Sequence, residues 1–433
     1  MNRSRQHASF VEYALAAAVV ASVCWAMLWF GQTGFLPQPF VMDTNDTFMD
    51  WFNTAFWANR PGAYDVWRSI YPPLSFVFLD LFSLHGCHLA SPFAARDCDW
   101  VGQATILAAY ALNVALFWIA FRRNDRASAL PRTLAMGLGL PLLFTLERGN
   151  LILVTMPAFI LAYDPLVRSP LVRAIATAVT INFKPYLLLP ALAHLVRREW
   201  RPLEWAGLAT ILIYLLTLAI IGSGTPGQLA SNTANWVAFQ SGQVWNEVNY
   251  STSYAPLLTI RKASPIPLLD LVPSRLVEGI EYAVPLLIRA SQLIALLALA
   301  GAWLQPTALS RARIGILLLG AYLVTQSPGG YTQLFLLFLV LLEKWEGAGP
   351  RIAIACTYLL CLVGDIPIAT IIEISTNGWL SGRPVTPSFG LTVGHFLRPG
   401  LIILILWALS FDALARIVRA HATHRPSLGM APA

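Results

Sequence analysis

Apolar runs of helical length recur along almost the whole of this chain, and its charged residues stand mostly in the gaps between them. The first run, Tyr13 to Phe30, is followed by others near 101–121, 133–146, 150–163, 172–183, 185–196, 203–221, 286–304, 314–325, 333–342, 352–372 and 399–415. A bilayer core about 30 Å thick takes about 20 residues of helix. Only helices and closed barrels satisfy every backbone polar group inside it. Of 433 residues, 57% are hydrophobic and 12% charged, more apolar surface than a water-soluble fold of this length can hide. The chain therefore reads as an all-α polytopic membrane protein with roughly 10–12 transmembrane or re-entrant helices.

The basic stub carrying Arg3 and Arg5 before the first run resembles the start of a signal peptide. Trp25, Trp29 and Phe30 stand where small cleavage-site residues would be needed, so the run is expected to be retained as the first helix. The net charge of +7 does not indicate nucleic-acid binding, because the basic residues punctuate helix ends instead of pooling on one surface. Arg122, Arg123, Arg126, Arg132, Arg168, Arg173, Arg197, Arg198, Arg201, Arg311, Arg313, Lys344, Arg351, Arg416 and Arg419 all fall in loops on one side. By the positive-inside rule both termini are cytoplasmic. Two large loops, 31–100 and 222–285, then face outward, with shorter outward turns at Glu147–Asn150, Gln326–Tyr331 and 373–398. Residues 1–419 form one polytopic domain and 420–433 a disordered cytoplasmic tail. The short runs on either side of Asn182-Phe183-Lys184-Pro185 read as broken or re-entrant helices, tolerated where protein or a watery cavity covers the freed backbone; a proline kink in one full helix is the plainer alternative.

Cys24, Cys356 and Cys361 lie in apolar runs and behave as small hydrophobes. Cys87 and Cys98 fall in the first outward loop, where an oxidising compartment favours a disulfide. Zinc held with His85, His88, Asp97 and Asp99, or two free thiols, are the other readings.

No phosphate-binding glycine loop, nucleophile elbow or zinc helix is present. The chemistry-bearing segment is the first outward loop, where Asp43, Asp46 and Asp50 lie among Phe48, Trp51 and Phe52. On a helix, Asp46 and Asp50 would share a face at i, i+4 spacing. Repulsion between such neighbours raises one of them toward a useful general base. The same residues also suit a solvated acidic loop anchored at the interface by aromatics. Cations on the outward side are scarce: Arg148, Lys184, Arg289 and Arg398. A charge placed in a membrane segment points to function, with snorkelling to lipid headgroups as the alternative. His395, in the last outward turn, is a further candidate.

The acid–aromatic segment, then Tyr64-Asp65, then Tyr71-Pro72-Pro73, resembles the first extracytoplasmic loop of glycosyltransferase family 87. Further likenesses follow in order up to about residue 345. They are Leu146-Glu147-Arg148-Gly149-Asn150, Phe183-Lys184-Pro185-Tyr186 with Arg197-Arg198, Asn249-Tyr250-Ser251, and Ser327-Pro328. Glu147-Arg148 departs from the plainer Gly-Gln turn of the family. The resemblance implies a GT-C-like fold in the bacterial cytoplasmic membrane. It also implies an inverting transfer of a sugar, a mannose-like hexose or a pentose, from a polyprenyl-phosphate donor to an extracytoplasmic glycan or glycolipid acceptor. No nucleotide sugar, cofactor or metal is implied. One aspartate acts as base: Asp46 fits the distance to Tyr64-Asp65, and Asp50 the acid-then-aromatic pattern. Asp43, Tyr71, Arg148, Asn150, Lys184, Asn249, Arg289, His395 and Arg398 are the candidate substrate-binding residues. A lipid-linked-oligosaccharide transporter or flippase, and a polysaccharide polymerase or ligase, are the rival classes; the former would more naturally show repeated halves.

Overall fold

The computed structural model describes residues 3–40, 44–164, 166–240, 250–254, 273–325 and 329–423, which are mostly helical. Among them, six helices are long and apolar enough to cross a membrane: Phe10–Thr33, Trp100–Asn124, Ala129–Arg148, Trp200–Ile221, Ser274–Leu304 and Gly394–Ala422. Leu208, Leu212, Leu215 and Ile220 stand outward on one of them, a surface that only hydrocarbon would accommodate. The protein is membrane-embedded. Five shorter apolar helices pack among the long ones: Ile152–Tyr163, Pro170–Phe183, Pro185–Val196, Gly330–Leu341 and Ala348–Leu360. Every residue of the nine-residue stretch Gln333–Leu341 is buried. A helix apolar on all sides belongs inside the protein, and nine residues span only about 14 Å, too short to cross a bilayer alone.

The breaks have local causes. Gly139 separates Ala129–Leu138 from Leu140–Arg148, and Pro141 opens the second piece. The freed amide of Leu140 donates to the carbonyl of Cys361 (3.0 Å). A side chain on Gly139 would strike Cys361 and the carbonyl of Ala135. Lys184 ends Pro170–Phe183 in extended conformation because Pro185 follows it. Asn182 Nδ2 ties that helix end to the carbonyl of Thr210 at 3.1 Å.

The basic loops converge at one end of the bundle. Arg132 forks onto Glu12 at 2.8 Å through two nitrogens, and also donates to the carbonyl of Glu343 at 2.9 Å. Arg313 forks onto Glu343 (2.8 and 2.9 Å) and reaches Asp412 at 2.6 Å. Arg197 and Arg311 share Glu199, at 2.9 and 2.6 Å. The arginines that mark topology in the sequence are thus also structural ions. Arg132 and Arg313 are buried, as Lys and Arg rarely are without partners.

Two expectations need correction. The chain is not all-α: residues 367–392 form an antiparallel ribbon, with Pro367–Glu373 paired to Ser388–Thr392 and Thr376–Gly378 to Arg383–Val385. The pairs Glu373↔Ser388, Thr376↔Val385 and Gly378↔Arg383 keep one register, so the two small sheets are one ladder interrupted at residues 374–375 and 386–387, with the bend at its far end between Gly378 and Arg383. The helix expected over 352–372 ends at Leu360. Gly364 is left-handed (φ 90°), and beyond it Ile-Pro-Ile-Ala-Thr-Ile-Ile is rich in β-branched residues that favour strands. The first outward loop carries three short helices, Met49–Ala58, Pro73–Leu81 and Pro92–Cys98.

Cys87 and Cys98 are joined in a disulfide. The expected zinc alternatives are engaged elsewhere: His88 Nε2 meets Asp99 at 3.0 Å, and Asp97 takes Arg96 and the indole of Trp379. Asp99 also caps the helix Trp100–Asn124 by accepting from the amide of Gly102 (3.0 Å). Burial pushes the Asp99 carboxyl up, but the hydrogen bonds from His88 and Gly102 outweigh it and hold the group below its ordinary value of 3.8. A carboxyl lowered by folding stabilises above its unfolded value, and that stability is lost as pH falls through the folded one. Acidification below about pH 4 should therefore lower the melting temperature more in the parent than in Asp99→Asn. Equal losses in the two proteins, followed by tryptophan fluorescence, would show that Asp99 is not the group responsible.

Candidate active site

The acid loop is clasped against the turn that ends Leu140–Arg148. Phe48 adopts a left-handed conformation (φ 64°), and its amide donates to the carbonyl of Glu147 at 2.8 Å. Thr47 Oγ1 donates to Glu147 Oε1 at 2.9 Å. Gly149 is required twice over. Its φ is +62°, and a Cβ there would lie 3.1 Å from the Cα of Phe48. The helix Met49–Ala58 starts too late to carry Asp46, so the i, i+4 face expected for Asp46 and Asp50 does not form.

The two carboxylates meet through arginine instead. Arg148 Nη2 and Nε donate to Asp50 Oδ1 at 2.7 and 3.2 Å, while Nη1 donates to Asp46 Oδ2. Asn150 Nδ2 donates to the other Asp50 oxygen at 2.7 Å, and its own Oδ1 accepts from the amide of Ile152 at 3.1 Å. Asp50 is held from both sides. Asp46 is the more open of the pair, at 29% side-chain exposure against 19%. Arg148 thus pairs across about a hundred residues of sequence rather than with adjacent Glu147.

Lys184 forms the neighbouring wall. It is buried, with Nζ 4.5 Å from the centre of the Tyr71 ring, 3.5 Å from its hydroxyl, and within electrostatic reach of Asp50. Tyr71 is positioned by its own segment: its amide donates to Ser69 Oγ (3.1 Å), and its carbonyl accepts from the hydroxyl of Tyr64 (2.8 Å). Pro72 and Pro73 then open Pro73–Leu81. Burial, and next the charge of Asp50, push the Tyr71 phenol well up, so it stays protonated and is a donor to whatever it faces. Asp65, the acid of the Tyr64-Asp65 pair, points away to Gln228 at 2.8 Å.

Asp46, Asp50, Tyr71, Arg148, Asn150 and Lys184 are therefore assembled at one place. Other expected residues are not part of it. Arg398 forks onto Asp365 at 2.6 and 2.9 Å and lies over Tyr250 (5.1 Å). His395 packs beside it against Thr392 (2.8 Å). Their charge and hydrogen bonding serve to fix the ribbon's end to the last helix. Arg289 is exposed on Ser274–Leu304. Asp43, Asn249 and the Ser327-Pro328 pair lie outside the described residues.

Sequence reasoning missed the cover of the site. Trp379, at the ribbon's bend, donates its amide to the carbonyl of Thr44 (3.2 Å) and its indole to Asp97 (2.9 Å), and packs edge-on against Phe48 (5.4 Å). Arg96 is buried beneath it, 4.6 Å from its ring, and binds Asn45. The ribbon and the disulfide-linked segment thus hold the acid loop from above. Among the described residues, no group of three or more His, Cys, Asp or Glu side chains is arranged to hold a metal ion. What the cluster offers is two carboxylates, a half-buried guanidinium, a buried ammonium and a neutral phenol. No family model, no curated protein and no solved structure matches the chain.

Proposed function

We propose that the protein is a GT-C-like membrane glycosyltransferase that moves a sugar from a polyprenyl-phosphate donor to an extracytoplasmic glycan or glycolipid. One observation carries the reading. The segments that resemble the family's first loop, its glycine turn and its Lys-Pro break supply six side chains, and these converge at one place in a membrane-embedded bundle. In this reading Asp46 removes the proton from the acceptor hydroxyl as its oxygen attacks the anomeric carbon. The carbon–oxygen bond to phosphate breaks with inversion, and the bond's electron pair leaves on the phosphate. Lys184 and Arg148 stabilise that growing charge. Asp50 and Asn150 orient Arg148, and Tyr71 donates toward the same space.

Lys184 is the direct handle on donor recognition. A cation whose contact strengthens as charge builds on the leaving group contributes to rate as well as affinity. Lys184→Ala should therefore weaken binding of polyprenyl-phosphate sugars and slow single-turnover transfer in folded, detergent-purified protein. Parental values for both would place the phosphate elsewhere.

Arg132 and Arg148 stand toward opposite ends of the consecutive helices Ala129–Leu138 and Leu140–Arg148; with the arginine-rich loops cytoplasmic by the positive-inside rule, the site in this reading faces the cell exterior or periplasm and both termini are cytoplasmic. An impermeant maleimide added to intact cells should label Cys87 and Cys98 only after reduction. Labelling that appears only in broken cells reverses the orientation.

A further inference from the structure

The proposed chemistry asks more of Arg148 than its present contacts allow. Three of its five N–H donors already go to Asp46 and Asp50. A carboxylate held by a guanidinium is a poor proton acceptor, and a guanidinium held by two carboxylates has little left for a phosphate. Base and phosphate ligand cannot both act in this arrangement.

We infer that Arg148 is an exchangeable counter-ion: a phosphate or phosphate-ester anion takes it from Asp46, so that anion binding and release of the base are one event. This rests on the glycosyltransferase reading for the identity of the ester, but the exchange itself follows from the contacts. Asp46 is the partner that yields. It receives one guanidinium N–H, lies in a turn before the helix and is the more exposed acid. Asp50 receives two, and is fixed by Asn150 and by its place in the first helical turn. Arg148 can therefore pivot on Asp50 without leaving the site. Lys184, within electrostatic reach of Asp50, supplies the second positive charge for the incoming anion. Once the anion draws Arg148 away, Asp46 faces added negative charge and loses its contact with that guanidinium. Both changes raise its proton affinity, which is what a base needs at the moment the donor is seated. The Glu147-Arg148 departure from the Gly-Gln turn then has a purpose: Glu147 fastens the acid loop through Thr47 and Phe48, and Arg148 is the moving part.

The test is a binding cycle on the full chain in detergent or nanodiscs, with inorganic phosphate and a polyprenyl monophosphate as separate probes, read by calorimetry. Asp46→Asn removes the competing charge and should tighten binding of both probes, within the roughly 5–150-fold range of site-to-site coupling. Arg148→Gln should weaken binding, and Asp46→Asn/Arg148→Gln should bind no better than Arg148→Gln alone. Asp46→Ser, a second neutral variant, guards against a folding defect in the amide. If neither neutral variant binds more tightly, or if the gain survives loss of Arg148, the exchange is wrong. Absence of phosphate binding in the parent and in Asp46→Asn alike would also overturn it. If inorganic phosphate shows the full pattern and the polyprenyl phosphate binds to no variant, the exchange stands and the glycosyltransferase reading falls. If the polyprenyl phosphate binds but the two substitutions act additively, the exchange falls and the glycosyltransferase reading stands.

Discussion

Asp46→Asn is expected to lower the rate of sugar transfer by about 10²–10⁴-fold, the usual cost of losing a general base, while donor affinity increases. The pairing of these two effects is the informative part. Asparagine fills the same volume and can still accept a hydrogen bond from Arg148, so the acid loop should keep its place on Glu147 through Thr47 and Phe48. What disappears is the group that takes the acceptor's proton. Asp50→Asn should also be severely slowed, but by another route. The anchor shared by Arg148 and Asn150 is weakened, so affinity for donor should fall together with rate. A loss of rate without tighter binding at Asp46, matched by an identical profile at Asp50, would mean that the two acids are not divided between base and anchor. Full activity in both variants would remove the catalytic reading of this loop.

The largest effect on stability is expected far from the site, at Glu12. Glu12 and Arg132 are almost wholly buried, at 1% and 2% side-chain exposure. Their paired 2.8 Å contacts are completed by the hydroxyl of Tyr358, which donates to Glu12 at 3.0 Å. Cutting one partner from such a pair leaves a buried charge uncompensated, at a cost of about 3–5 kcal/mol. Glu12→Ala should therefore unfold the protein at markedly lower denaturant or temperature. Arg416→Ala is the internal comparison: its contact with Asp412 is 2.8 Å, but the arginine is 43% exposed, and such pairs contribute roughly 0–1 kcal/mol. Similar destabilisation by the two substitutions would show that the Glu12–Arg132 pair does not hold the first helix to the bundle.

How much of this was legible in the sequence depended on whether the signal was local. The long helices were readable because about 20 apolar residues in a row have few alternatives. The break at Lys184-Pro185 was readable because proline constrains the residue before it. The ribbon was not. Hydropathy alone cannot tell a short apolar strand from a buried helix, and the run 352–372 concealed Gly364 and the β-branched stretch after Pro367. Those two features, with Asn377-Gly378 near the bend, were the signals available. The candidate residues were picked out one by one from composition and family likeness, but their arrangement was not foreseeable. Arg148 lies about a hundred residues from Asp46 and Asp50, and the nearest charge in sequence, Glu147, is not its partner. Trp379 and Arg96 carried no motif, and became visible only when the ribbon's bend was found on the acid loop. His395 and Arg398 had the right chemistry for a phosphate site, but Asp365 and Thr392 claim them.

The most direct test of the glycosyltransferase reading is turnover. Purified protein would be incubated with a panel of polyprenyl-phosphate sugars, each radiolabelled in the sugar, together with membrane glycan and glycolipid acceptors, and Asp46→Asn would be run in parallel. Label from at least one donor should appear covalently in an acceptor with inverted configuration at the anomeric carbon, and Asp46→Asn should form this product about 10²–10⁴-fold more slowly. If every donor is recovered intact, whether bound or moved across a vesicle membrane, the protein is not a transferase.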